Sequence, residues 1–321
     1  MVNLVYILSA GHSGSTLLDM IIGSLPGVFS LGEVTFFSWQ IYRDGKMCEL
    51  DQDICSCGYK FSECSVWKKI INNLSAKVGY NIYTNPYRFD VSIFRPLEYG
   101  KPYKKFHKFV RAYYNKLFYK NKFAPDLTPI FYHYTKKQIY NNLLLFDTIK
   151  ESFGVSHVVD SSKDLIRLHF LHYVRPQNTK IIVLIRDILG IAGSAVKRNE
   201  DPLKAAKMWI RYYNLIINAV NKMFKNFLLV KYEELASKPR FILNKIAKFL
   251  DKEYLSNDSL IKLDTKKYHL IAGNPMRYKG LITIKPDMSW QKLLTSYQIA
   301  LIKKMGEKIF DRINKVEGHC L

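Results

Sequence analysis

Gly11-His12-Ser13-Gly14-Ser15-Thr16 follows the apolar run Leu4 to Ser9 and precedes Leu17, Leu18, Ile21 and Ile22 at helical spacing. The order is strand, tight loop, helix. Two glycines let the loop bend until successive N–H groups face one point, and the helix dipole adds positive potential there, so the loop can cradle an anion. Ser13, Ser15 and Thr16 add hydroxyls. A nucleoside triphosphatase needs G-x-x-x-x-G-K-[ST], in which a Lys after the second Gly reaches the terminal phosphates. Here Ser15 follows Gly14, which argues against ATP or GTP hydrolysis and leaves phosphate binding intact.

A second anion-binding group stands at Arg186, delivered by the apolar run Lys180 to Ile185, with Ser194 eight residues further on. A guanidinium beside a hydroxyl suits a phosphate monoester, provided the chain bends after the strand so that both reach one point. The alternative is a structural Arg186-Asp187 ion pair.

These residues need a scaffold, and the hydrophobic pattern supplies one. Beyond the first strand, Val28 to Glu33, Ser156 to Asp160, Lys180 to Ile185 and Phe227 to Lys231 read as short buried strands. Amphipathic stretches at Lys163 to Val174, Ile188 to Arg198, Leu203 to Phe224 and Pro239 to Leu250 separate them. Strands alternating with helices predict an α/β fold, a P-loop-like parallel sheet covered by helices on both faces. Residues 1–321 form one domain with a largely helical insertion over 40–150, which holds four of the five cysteines and a stretch rich in Tyr, Phe, Lys and Arg. Ligands on open α/β sheets bind beyond the carboxyl ends of the strands, where such an insertion can wall an acceptor pocket or form a lid.

Composition narrows the partner. The 321 residues carry 49 Lys+Arg against 27 Asp+Glu, a net charge of +22, while 48% hydrophobic and 14% aromatic content excludes a disordered basic tail. The basic residues are scattered, and no zinc-finger pair, basic zipper or RNP-like motif is present, so the charge nominates an anionic partner without naming it, and no motif supports nucleic acid. The charge excess, dense from Lys101 to Lys122, fits either an acidic acceptor or a compositional bias towards Lys. No run of apolar residues is long enough for a membrane span, and Val2 to Ala10 lacks a signal peptide's basic flank. The expectation is a soluble, cytoplasmic protein.

Five segments together resemble the sulfotransferases that use 3′-phosphoadenosine 5′-phosphosulfate (PAPS), in particular the tyrosylprotein and carbohydrate branch and bacterial members. They are Gly11 to Leu18; Val159-Asp160-Ser161-Ser162-Lys163; Ile185-Arg186-Asp187 with Ser194; Lys231-Tyr232-Glu233-Glu234-Leu235; and Gly273-Asn274-Pro275-Met276-Arg277. The resemblance implies a metal-free transfer of sulfonate from PAPS to an acceptor hydroxyl of a glycan, a peptide tyrosine or a small molecule, with 3′-phosphoadenosine 5′-phosphate (PAP) as the product. It implies that His12, Ser13, Gly14, Ser15, Thr16 and Leu17 hold the 5′-phosphosulfate, and that Arg186 and Ser194 hold the 3′-phosphate. Tyr232 would lie by the adenine or its sugar, and Arg277, Lys279 and Gly280, ahead of Trp290, would also grip the 3′-phosphate. Catalytic roles fall to Glu33 as general base and to His12 and Lys163 as cations on the reacting group. The family usually has Lys or Arg where this chain has His12; an imidazolium kept protonated by phosphate can donate the same bond. Small-molecule members use a His as base, so His107 and His133 stand behind Glu33. The rivals are a phosphotransferase and a basic nucleotide- or glycan-binding protein without catalysis.

Cys48, Cys55, Cys57 and Cys64 have the spacing C-x6-C-x-C-x6-C. Zinc knuckles normally pair C-x2-C, which weighs against zinc, while two disulfides need an oxidising setting. Cys55-Ser56-Cys57-Gly58 with Cys64 and Trp67 resembles a segment of bacterial sulfotransferases and implies a structural brace. Cys320 is expected to be a free thiol.

Overall fold

The structure, a computed structural model, describes residues 1–44, 54–93, 109, 112–113, 128–224, 226–253 and 262–317. Cys48, His107, Cys320 and most of the basic 101–122 stretch lie outside the described residues.

The first apolar run is β1 (Asn3–Ser9), and it is buried on both faces because its side chains alternate between two cores. Leu4, Tyr6 and Leu8 enter one core, Val5 and Ile7 the other. β1 pairs with β3 (His157–Asp160) on one side and β4 (Thr179–Ile185) on the other, while β2 (Val28–Ser30) adds to β3 and β5 (Phe227–Lys231) to β4. All pairs are parallel, in the order β2-β3-β1-β4-β5. On one face α1 (Ser15–Gly23) and α9 (Pro239–Phe249) bury Leu18, Ile21, Leu243 and Ile246. The opposite face carries α5 (Leu165–Val174), α6 (Ile188–Val196) and α7 (Pro202–Met223), with Leu168, Ile191 and Trp209 in its core. The parallel sheet covered on both faces is therefore the architecture expected. No helix among the described residues is long and apolar enough to cross a membrane.

The described parts of 40–150 are largely helical, with turns over 54–64 and 79–85: α2 (Phe37–Asp44) runs into the segment, and α3 (Ser65–Val78) packs on α4 (Thr128–Phe153). The Arg167–Asp160 pair, 0% exposed on both sides, joins this layer to the sheet. Arg167 also donates to the carbonyl oxygen of Val91 at 2.7 Å and to the side-chain oxygen of Asn142, so every arm of the buried guanidinium is engaged.

Two boundaries differ from the sequence reading for local reasons. The second strand stops at Ser30 because Gly32 turns to φ 76° and instead bridges Ile271. The helix expected from Lys163 begins at Leu165, since Lys163 is left-handed at φ 62° and Asp164 caps the amides of Ile166 and Arg167. Past α8 (Tyr232–Ser237) and α9, the chain forms an antiparallel pair of β6 (Lys262–Asp264) and β7 (Leu281–Thr283), then α10 (Trp290–Leu293) and α11 (Ser296–Glu317).

Candidate active site

The glycine loop lies between the carboxyl end of β1 and α1, and two of its residues are left-handed, His12 at φ 63° and Gly14 at φ 91°. Gly14 is required on two counts: the backbone conformation, and the Tyr232 ring, which a Cβ would meet at 2.6 Å. Helices α5, α6 and α7 each open on an Asp whose carboxylate accepts from first-turn amides. α1 opens on Gly14 with no side-chain cap and no acidic residue in its first turn. Its leading N–H groups are thus left for an outside acceptor.

The loop hydroxyls are not equivalent. Ser13 is buried and shares a 3.3 Å hydrogen bond with the Tyr213 hydroxyl, which itself donates to the Leu184 carbonyl at 2.7 Å. Thr16 Oγ1 accepts from the Asn274 amide at 3.0 Å. Ser15 Oγ accepts from Lys163 Nζ at 3.3 Å. Leu17 points into the core and offers only its backbone.

Lys163 Nζ also donates to Glu33 Oε1 at 2.5 Å, with both side chains mostly buried at 18% and 17% exposure. Its strained backbone is pinned where the Tyr212 hydroxyl donates to its carbonyl oxygen. Glu33 is held from behind: its amide donates to the Ile271 carbonyl at 2.7 Å, and Ile271 N donates to Leu31 O at 2.7 Å. A Cβ at Gly32 would lie 2.3 Å from that Ile271 oxygen, so only glycine allows the bridge. Glu33, Lys163 and Ser15 therefore form one chain of polar contacts from the end of β2 to the start of α1. His133 is exposed on α4 and does not line this cleft.

His12 is exposed in a cleft of 1360 Å³ that Glu33 and Lys163 also line, with Lys204, Arg211 and Tyr212 of α7 on another wall. Partial desolvation of its ring, then the Arg198 and Lys163 charges, hold its pKa below the ordinary imidazole value. The imidazolium of the sequence reading therefore depends on a phosphate beside the ring to offset these effects.

Arg186, at the end of β4, donates to the His12 carbonyl at 3.0 Å and stacks its guanidinium 4.5 Å from the Tyr232 ring centroid. It pairs with Asp287 at 2.9 Å, and Lys197 reaches the same carboxylate at 3.3 Å. Burial would raise the pKa of Asp287, but its bonds from Ser289, Arg186 and Lys197 hold it below the usual carboxylate range. The Arg186-Asp187 ion pair weighed from sequence is not what forms: Asp187 caps α6. Ser194 Oγ accepts from Arg198 at 2.7 Å, and Arg198 is fixed in turn by Glu200.

The structure does not bring Arg277, Lys279 and Gly280 to Arg186. Arg277 is 1% exposed and donates to the Leu270 carbonyl, Lys279 is exposed, and Gly280 pairs with Thr265. The segment that reaches Arg186 is Asp287 to Trp290, with the Trp290 side chain packed on Gly193. Arg198, Lys197 and Asp287 escaped the sequence reading. A signal existed for Arg198, a cation one helical turn beyond Ser194.

Asp19 was also missed, although a carboxylate amid Leu17, Leu18, Met20, Ile21 and Ile22 is a signal in itself. It is fully buried, accepts from Ser161 Oγ at 2.6 Å and from the Gly32 amide at 3.0 Å, and ties α1 to the turn that carries Glu33. Burial pushes its pKa up to about 7.

Neither protein-family models nor curated proteins match the chain. Among solved structures it is similar to the sulfotransferase domain from the curacin biosynthetic pathway, at 14% identity and TM-score 0.51, over 96% of this chain and 98% of that one. It is similar also to the sulfotransferase domain from the Synechococcus PCC 7002 olefin synthase, at 16% identity and TM-score 0.51, over 95% of each chain. At these identities the likeness is one of fold: the chain has the sulfotransferase fold, as the sequence resemblance implied.

Proposed function

We propose that this protein is a PAPS-dependent sulfotransferase that moves a sulfonate group to an acceptor hydroxyl. One observation carries the reading: an anion loop without an acidic cap, the Lys163 ammonium and the Glu33 carboxylate meet at one place beside an open cleft. Direct transfer needs a base on the acceptor, cations on the donor and fixed geometry between them.

The chain's residues fit the donor. Uncapped amides at the start of α1, with Ser15 and Thr16, suit a 5′-phosphosulfate, and Arg186 with Ser194, Lys197 and Arg198 suits a 3′-phosphate. Tyr232, packed on Gly14 and Arg186, offers a ring face to the nucleoside. The bound donor supplies the sulfonyl group and leaves as PAP.

Glu33 takes the proton of the acceptor hydroxyl at its carboxylate. Lys163, between Glu33 and Ser15, balances negative charge as it moves from the acceptor towards the loop. His12 donates from the loop side once an anion raises its proton affinity. The cleft beside α7 receives the acceptor.

Two measurements test the reading. Calorimetry should detect PAP binding, weakened in Arg186→Ala, and transfer of labelled sulfonate from PAPS to acceptors in an extract should fall at least about 10²-fold in Glu33→Gln with PAP binding kept. Preference for ATP with Mg²⁺ over PAP would overturn it, as would unimpaired transfer by Glu33→Gln.

A further inference from the structure

Cys55, Cys57, Cys64 and His269 meet two residues before Ile271, at a distance in sequence that no spacing rule connects. Their ligand atoms all lie within 4.8 Å of one another. His269 turns Nδ1 to the cluster, 3.2 Å from Cys64 Sγ and 3.5 Å from Cys55 Sγ. A tetrahedral zinc with Zn–S of about 2.3 Å and Zn–N of about 2.0 Å sets neighbouring ligand atoms about 3.5–3.8 Å apart. We propose that these four side chains bind one Zn²⁺ in a closed Cys3His site that is structural and takes no part in the transfer chemistry.

Three further observations support a metal over free thiols or a disulfide. A disulfide would join two sulfurs and leave the third beside an unused imidazole. The Cys55–Tyr59 and Lys60–Cys64 turns are closed by backbone bonds, from the Cys55 amide to the Tyr59 carbonyl at 2.9 Å and from the Cys64 amide to the Lys60 carbonyl at 2.8 Å, so the three sulfurs are presented from rigid turns. The turn that makes this possible has Gly58 at φ 95° and its amide on the Cys55 carbonyl at 2.9 Å. Lastly, three thiolates around Zn²⁺ leave one net negative charge, and the buried guanidinium of Arg277 stands nearby, donating to the carbonyl of Leu270 beside His269 and to the Tyr278 hydroxyl, which donates to the carbonyl of Ile54 beside Cys55. That gives Arg277 a role the donor site does not.

The imidazole is held by its own backbone. Trp67 Nε1 donates to the His269 carbonyl at 2.9 Å, Ser56 donates to the Tyr268 carbonyl, and the Leu270 amide returns to Ser56 Oγ at 2.9 Å. Two residues on, Ile271 hydrogen-bonds to Leu31 and Glu33. The site thereby clamps the insertion to the segment against which Glu33 is set, and the inference stands whatever reaction Glu33 serves.

The test uses the full chain, expressed in zinc-supplemented medium, purified with a non-chelating reductant and dialysed against metal-free buffer. Elemental analysis should find one zinc per chain, and removing it with a strong chelator should lower the melting temperature until zinc is restored. Cobalt loaded in its place should show the visible bands of a tetrahedral thiolate site. Those bands should persist unchanged in Cys48→Ser, shift in His269→Cys, and weaken with at least about a tenfold loss of affinity in His269→Ala. Folded wild-type protein without stoichiometric zinc, or with a native disulfide among the three cysteines, would overturn the proposal even if the variants fail to fold. Bands lost in Cys48→Ser but kept in His269→Ala would overturn the assignment of His269.

Discussion

Two polar constellations flank the Leu31–Glu33 turn, and they are built on opposite principles. The loop side gathers His12, Ser15, Lys163 and Arg186 around an uncapped helix start beside an open cleft. The cysteine side closes Cys55, Cys57, Cys64 and His269 on one another under Phe61 and Trp67, both fully buried and stacked. Polar groups left facing solvent in a cleft are available to a ligand; polar groups that face only each other hold structure. On the function proposed above, Glu33 is positioned from its backbone by Ile271 and would be used at its carboxylate beside Lys163.

Breaking the loop side alone gives the largest change in rate. Glu33→Gln should lower transfer by about 10² to 10⁴, the range of a general base, with only the small fall in melting temperature that loss of the Lys163 pair brings. If stability falls in step with rate, the turn belongs to the brace and the contrast fails. Gly32→Ala strikes both sides at once, since its Cβ would meet the Ile271 carbonyl at 2.3 Å from a left-handed backbone. It should cost about 1–3 kcal/mol in chemical denaturation and also reduce transfer.

Smaller effects sharpen the contrast. Arg186→Ala should weaken PAP binding about 10- to 100-fold by calorimetry, the loss expected for charge-assisted hydrogen bonds, without touching the zinc content. Asp287→Asn removes the carboxylate that occupies Arg186 and Lys197, and should tighten PAP binding about threefold, because that pair is partly exposed and screened. Unchanged or weaker binding would make Asp287 a positioning residue for Arg186 instead of a competitor.

The mildest expected effect is a pH dependence. Asp19 has its pKa raised from an ordinary 3.8 to about 7 by burial. Folding favours its neutral form, so its contribution is complete below about pH 4 and lost as pH rises through about 7. Asp19→Asn should flatten the stability profile across that window, read by denaturant midpoints at fixed temperature. An unchanged slope would remove Asp19 as the titrating group.

The parts legible in the sequence are those in which neighbours along the chain decide the outcome. Leu4 to Ile22 announces strand, loop and helix because an apolar run, two glycines and a helical repeat follow one another within about twenty positions. Gly32-Glu33 and Ser161 to Lys163 lie at strand ends, where a parallel sheet collects its ligands. Arg277 shows the limit. A basic residue ahead of a tryptophan reads as a phosphate grip, yet the antiparallel pairing of β6 with β7 and the turn after it carry Asp287 to Arg186 and leave Arg277 on the Leu270 carbonyl and the Tyr278 hydroxyl.

Alternation, loop chemistry and the five short segments were enough to determine the parallel α/β architecture, the anion loop and the candidates Glu33 and Lys163. Which polar residues meet was decided by the tertiary structure. His269 stands 205 residues from Cys64, and Asp287 stands 101 residues from Arg186. No local rule of spacing links such pairs, because their approach is set by packing of the whole chain, whose free energy comes from buried apolar surface that is indifferent to which polar groups it carries together.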